Sequence, residues 1–204
     1  MSSLLADNRD HVRIKWLASA TSEEWLQQAL DNPIQVLIDH AHCERKAAGA
    51  ATQMMFRYLC EPGLAEALSP LVREELEHFE RVLELLKSRG HYLEPLPAPP
   101  YAAALAKKVR SLEPDRMLDS FLVAGLIEAR SHERMSLLAV YSPDKELAAL
   151  YQELLASEAR HFCLYWTLAN ERFEKHVVAS RLQKLAQVEA MILSELHPQP
   201  RMHS

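Results

Sequence analysis

The chain has 204 residues, 49% hydrophobic and 25% charged, with a formal net charge of −5. That composition suits one globular domain with a sizeable core. It offers no run of about 18 apolar residues to span a membrane, and its charge does not mark a general nucleic-acid binder. The three cysteines, Cys43, Cys60 and Cys163, form no C-x-x-C pair. They exclude a disulfide framework and are expected to be buried free thiols. The opening MSSLLADNRDHVRIKW has neither the apolar stretch nor the cleavage site of a signal peptide, so a cytoplasmic protein is expected.

Taken in chain order, Thr21 and Glu24 read as a capping box for a short helix through Leu30. Asn32-Pro33 opens the first long helix, which Glu61-Pro62-Gly63 stops at about Cys60. A second long helix ends at Arg89-Gly90, with Gly90 as its C-terminal cap; Pro70 either kinks it or marks its true start. The Pro-rich stretch 91–101 is too rich in Pro for regular structure, and a short helical segment follows at 102–110. Glu113-Pro114 opens a third long helix that ends at Tyr141. Ser142-Pro143 turns the chain and caps a fourth, which runs to about Phe173. A last amphipathic helix spans about 177–196. No period-2 alternation competes. The expected fold is all-α: a ferritin-like four-helix bundle with one long crossover connection and extra peripheral helices. It forms a single domain over 1–204, with the bundle core at about 33–173 and the crossover at about 90–113.

The two hairpins repeat a motif. Glu44 and Glu75 are spaced along the chain almost as Glu128 and Glu158 are. The second Glu of each pair opens Glu-x-x-His, giving His78 and His161. In the second hairpin the turn at Ser142 falls near the midpoint between Glu128 and Glu158, so antiparallel helices bring both carboxylates to nearly one height. In the first, Pro62 lies off the midpoint and leaves a mismatch of about 7 Å, which a longer turn absorbs.

At 3–4 spacing the four long helices present the seams Leu37, Ala41, Glu44, Ala48, Ala51, Met55, Tyr58; Leu68, Leu71, Glu75, His78, Val82, Leu85; Met117, Phe121, Ala124, Glu128, Ser131, Met135, Leu138; and Leu147, Tyr151, Leu154, Glu158, His161, Tyr165, Leu168. Each is apolar or small except at its middle. A carboxylate in an apolar interior costs several kcal/mol unless paired or coordinated, and four together repel one another. Two divalent cations would neutralise them. Carboxylate and imidazole donors suit iron or manganese, and i, i+3 spacing sets Glu and His on one helix face. Glu44, Glu75, His78, Glu128, Glu158 and His161 are therefore the candidate ligands of a dinuclear metal centre. His40 and His132, each one turn from a ligand, are candidates to support it, as are Glu74 and Arg160. Asp39-x-x-His42 mimics the motif but faces away from the seam and reads as solvated. Tyr58, Tyr151 and Tyr165 read as core. A carboxylate-bridged di-iron centre can activate O2, oxidise iron or handle peroxide, and spacing alone does not separate these.

The strings HAHCERKAA (40–48), REELEHFE (73–80), LIEARSHER (126–134) and SEARHF (157–162) resemble those of the bacterial tRNA hydroxylases acting on 2-methylthio-N6-isopentenyladenosine. The resemblance extends over about residues 30–190. It implies two iron ions on the six ligands, O2 as co-substrate, and hydroxylation of the isopentenyl group of the adenosine at tRNA position 37, in the anticodon loop. The alternative is a ferritin-like ferroxidase or peroxide-handling protein with no nucleic-acid substrate. With no nucleotide-binding glycine motif and no cysteine cluster, electrons for a hydroxylase must come from a separate donor, such as a ferredoxin and its reductase. Phosphate contacts need local cations whatever the net charge. Lys107, Lys108 and Arg110 in the crossover, and Arg172, Lys175, Arg181 and Lys184 after the fourth helix, are the candidates for contacting tRNA.

Overall fold

The computed structural model describes residues 14–204; positions 1–13, which include most of the segment read as lacking a leader signal, lie outside the described residues. All regular structure among the described residues is helical: α1 (Glu23–Asp31), α2 (Pro33–Arg57), α3 (Leu64–Ser88), α4 (Pro100–Ala106), α5 (Asp115–Tyr141), α6 (Lys145–Arg172) and α7 (Lys175–Ile192). The described residues form two compact units, Asn32–Ala98 and the rest.

In the Asn32–Ala98 unit, α2 and α3 pack as a hairpin. Pro33 stands at the first turn of α2, as expected, although the Asn32 side chain makes no capping hydrogen bond. The helix stops at Arg57, and α3 begins at Leu64. Glu44 and Glu75 are thereby brought to nearly equal distances from the turn between them. The longer turn reduces the mismatch to about 3 Å. Pro70 lies inside α3; it is exposed, where solvent can satisfy the carbonyl its missing N–H leaves free. Gly90, at φ 75°, closes α3. The Gly90 N–H donates to Lys87 O and the His91 N–H to Leu86 O, the paired bonds of a Schellman cap. The Pro-rich stretch has no regular structure up to Pro99. His42 holds it, with Nε2 2.7 Å from Glu94 O.

This anchor corrects the reading of Asp39 and His42 as solvated: they are 2% and 8% exposed. The Cys43 thiol lies 3.9 Å from Asp39 Oδ2. The thiol expectation also needs correction, since Cys60 and Cys163 are exposed and Cys43 is half-buried, all three being free.

In the other unit, α5 and α6 form a second hairpin, with α1, α4 and α7 packed around it. Asp144, not Ser142, caps α6: its side chain accepts from the Glu146 and Leu147 N–H groups at 3.1 Å. The cap of α1 likewise falls at Ser22 rather than Thr21. Ser22 Oγ accepts from the Trp25 N–H at 3.2 Å, while Thr21 Oγ1 donates to Glu133 at 2.7 Å. The short crossover helix α4 ends at Ala106, before the expected limit near 110. The last helix starts at Lys175 rather than near 177, and ends at Ile192 rather than near 196.

Helix α5 is buried nearly all round, which forces every charge along it to find a partner. Arg130 donates to Glu189 of α7 at 2.8 and 2.9 Å, to Ser19 O at 3.0 Å and to Glu133. Glu189 also accepts from the Tyr101 hydroxyl. Arg134 lies 4.2 Å above the Trp25 ring and donates to Met202 O and Ser204 O. Burial, and then the neighbouring Arg130, push the Arg134 pKa down to about 9. At one end of α5, Asp119 is 0% exposed. It accepts bidentate pairs from Arg110 (2.8 and 3.0 Å) and Arg181 (2.7 and 2.8 Å).

Candidate metal centre

Of the four seams, only Met55 escapes full burial. Tyr58, Tyr151 and Tyr165 are core residues, as expected. The six candidate ligands are each 1–6% exposed. In the α2–α3 hairpin the ligand atoms of Glu44, Glu75 and His78 lie within 4.8 Å of one another. In the α5–α6 hairpin those of Glu128, Glu158 and His161 do the same. The i, i+3 spacing puts each Glu-His pair on one face, and the opposing helix of the same hairpin delivers the third donor at matching height. In the second hairpin the match is closest, because Glu128 is as far from the end of α5 at Tyr141 as Glu158 is from the start of α6 at Lys145.

Each triad concentrates two carboxylates and an imidazole out of water. Two ionised carboxylates at this separation repel strongly, and an imidazole offsets at most one charge. A divalent cation satisfies all three donors, and the O/O/N set suits a first-row metal. These clusters can hold metal ions.

In the first triad, His78 Nδ1 is 3.5 Å from Glu44 Oε2. The fully buried His40 imidazole hydrogen-bonds Glu44 Oε1. Burial pushes the Glu44 carboxyl up, but the His40 imidazole outweighs it, aided by contacts with His78 and Glu75. The carboxyl is held well below the usual range. In the second triad, His161 Nδ1 is 3.9 Å from Glu158 Oε1. His132 stands edge-on to Phe162, centroids 6.0 Å apart, and burial lowers its pKa. Glu74 is half-buried on α3 and Arg160 lies on the exposed face of α6.

The basic candidates divide. Arg110 and Arg181 are committed to Asp119. Arg172 donates to Leu168 O and to Glu171, both at 3.2 Å. Lys107, Lys108, Lys175 and Lys184 are exposed. Sequence reasoning misses the buried cluster of Arg130, Glu133, Arg134 and Glu189. The available signal is Arg130 with Glu133 and Arg134 at i+3 and i+4, on a helix whose neighbouring residues are mostly apolar.

Residues 9–204 match the family model described as tRNA-(MS[2]IO[6]A)-hydroxylase (MiaE). A relative from Pseudomonas putida, named tRNA 2-(methylsulfanyl)-N(6)-isopentenyladenosine(37) hydroxylase, is 37% identical over 93% of this chain and 92% of its own length. One of the same name from Salmonella typhimurium is 28% identical over 94% of this chain and 88% of its own. A solved structure titled "Protein 43 with aldehyde deformylating oxygenase activity from Synechococcus" superposes with a TM-score of 0.92 at 65% identity, covering 94% of this chain and 96% of that one. The fold is accordingly all-α and ferritin-like, and the chain belongs to the tRNA-(MS[2]IO[6]A)-hydroxylase family of enzymes.

Proposed function

We propose that this protein is a di-iron monooxygenase that uses O2 to hydroxylate the isopentenyl group of 2-methylthio-N6-isopentenyladenosine at tRNA position 37. Glu44, Glu75, His78, Glu128, Glu158 and His161 would be its iron ligands. The observation that carries the proposal is the burial, in each hairpin, of two carboxylates and one imidazole with donor atoms within 4.8 Å, in a chain of a tRNA hydroxylase family. Iron held by these residues would supply the redox chemistry for O2 activation, with electrons from an external donor such as a ferredoxin and its reductase.

The chain's own residues do the rest. The two Glu-x-x-His pairs supply four donors from rigid helices, so little reorganisation accompanies metal binding. Within each hairpin the seam residues beside the triad are apolar and buried, Ala41 and Ala48 in α2 and Ala124 in α5, and would keep bulk water from the reaction. His40 orients Glu44 through its hydrogen bond, the support that metal-binding carboxylates require. Adenosine 37 lies in a loop, so it can enter without breaking a base pair. A cytoplasmic setting fits a tRNA substrate; no described helix is long and apolar enough to cross a membrane.

The test is expression in cells lacking the hydroxylase, followed by mass spectrometry of the tRNA nucleosides. The hydroxylated nucleoside is expected to appear with the wild-type chain. Its absence, with two irons bound per chain, rejects the proposal. The 65% identical Synechococcus protein favours a second reading, an oxygenase acting on an aldehyde. Deformylation of an aldehyde by the iron-loaded protein, with tRNA left unmodified, would select it.

A further inference from the structure

Two basic runs separated in sequence meet on one surface of the unit that holds α5. Arg110, at the end of the crossover, and Arg181, on α7, both grip the buried Asp119. Arg181 also donates to the Lys108 backbone carbonyl at 2.8 Å. Lys107 and Lys108 therefore lie beside the face of α7 that carries Arg181 and, one turn on, Lys184. Arg110 adds an ion pair to Asp115 at 2.7 Å, so the two guanidiniums and the two aspartates neutralise one another. The ammonium groups of Lys107, Lys108 and Lys184 are exposed and make no ion pair among the described residues. Lys107, Lys108, Arg110, Arg181 and Lys184 there outnumber Asp115 and Asp119, a local positive excess in a chain of net charge −5.

We infer that this surface is where the tRNA backbone docks, an inference that rests on the tRNA hydroxylase reading. The charge sign is complementary to phosphate. A protein repelled overall by a polyanion needs such a local excess to bind one. Position along α5 agrees: the helix rises about 13.5 Å from Asp119 to Glu128. Phosphates of the anticodon stem-loop can rest on Lys107, Lys108 and Lys184 while a nucleotide of the loop reaches the level of the ligands. The Asp119 clamp fixes the crossover to α7 and so presents the lysines as one rigid set. Contacts of this kind position the RNA without reading its sequence.

The test measures binding of an anticodon stem-loop carrying the isopentenyl nucleoside, by fluorescence anisotropy across a salt series. Wild type is compared with a Lys107→Gln/Lys108→Gln/Lys184→Gln variant, and with Lys46→Gln/Lys145→Gln, which removes exposed lysines elsewhere. Circular dichroism and iron content verify each protein. The triple variant is expected to bind at least about tenfold more weakly. Its log–log salt slope should be shallower by about 2–3, since each phosphate contact contributes about 0.7–0.9. The control should match wild type. An unchanged slope and affinity in the triple variant would overturn the surface assignment while leaving the hydroxylase reading intact. Slower reduction by an acidic electron-transfer protein, with RNA affinity unchanged, would give the surface to that donor instead and equally overturn the assignment. Failure of wild type itself to bind or modify the RNA removes both.

Discussion

The α2–α3 hairpin braces its triad from within. His40, one turn before Glu44, hydrogen-bonds that carboxylate, and the contact comes from the same helix. The α5–α6 hairpin braces its triad from behind. The faces of α5 away from Glu128 carry Arg130 and Arg134, which tie the helix to α1, α7 and residues 202–204. Donor sets of one composition thus rest on different supports: a hydrogen bond from the same helix in one case, a buried ion network in the other. Damage to the first should appear mainly in metal affinity, and damage to the second mainly in folding. The string in α5 acquires a physical meaning as well, because LIEARSHER encodes both the candidate ligand Glu128 and the anchoring residues Arg130, Glu133 and Arg134.

The hardest test removes a candidate ligand. Glu128→Ala or His161→Ala should bring nucleoside hydroxylation to background and lower iron content, while far-ultraviolet circular dichroism stays helical. Full iron occupancy in both variants would move the metal centre elsewhere. These positions are legible in the sequence because four seams of local periodicity are interrupted by the same residue types. The ion network is not, because Glu189 lies 59 residues from Arg130 and local spacing carries no information about such a partner. Asp39 and His42 mislead for a related reason: off the seam they look solvated, and only the return of the 91–99 segment over α2, held at Glu94 O, supplies a cover for His42. The caps at Ser22 and Asp144 are hard to place from sequence, since neighbouring Thr21 and Ser142 have equally suitable side chains.

Breaking the rear support comes next in size. Arg130→Met leaves Glu133 and Glu189 without their guanidinium, at a cost of about 3–5 kcal/mol, measured from the urea unfolding midpoint of the metal-free protein. Adding Glu189→Leu should restore part of it, because an apolar pair replaces an uncompensated buried charge. Asp119→Asn, in the same unit, should cost about 1.5–3 kcal/mol at neutral pH through lost charge-assisted bonds. Burial pushes the Asp119 carboxyl up, but Arg110 and Arg181 outweigh it and hold the folded-state pKa below its ordinary value. The contribution is therefore complete above the unfolded pKa of about 3.9 and is lost as pH falls through the lowered folded value. Stability curves of wild type and Asp119→Asn should converge in acid. Parallel curves down to full acid unfolding would contradict the clamp.

The local support of the first triad should show a smaller and different effect. His40→Ala is expected to weaken iron binding about 10–100-fold, read by competition with a chelator, with little change in the unfolding midpoint. Equal iron affinity in this variant would reduce His40 to packing and remove half of the contrast.

The turns carry the contrast to its smallest scale. Asp144 caps α6 with two side-chain hydrogen bonds, whereas Gly63 caps α3 with none and sits at φ 72°. Asp144→Ala should cost about 1 kcal/mol, read as a shift in the unfolding midpoint. Gly63→Asp should not gain the same amount, because an L side chain is strained in the left-handed region. A variant Gly63→Ala that matched wild type would show that the 58–63 turn of the first hairpin can relax its backbone. The longer connection would then be tolerant as well as long, and the register of Glu44 with Glu75 would be held by the packed helices rather than by the turn.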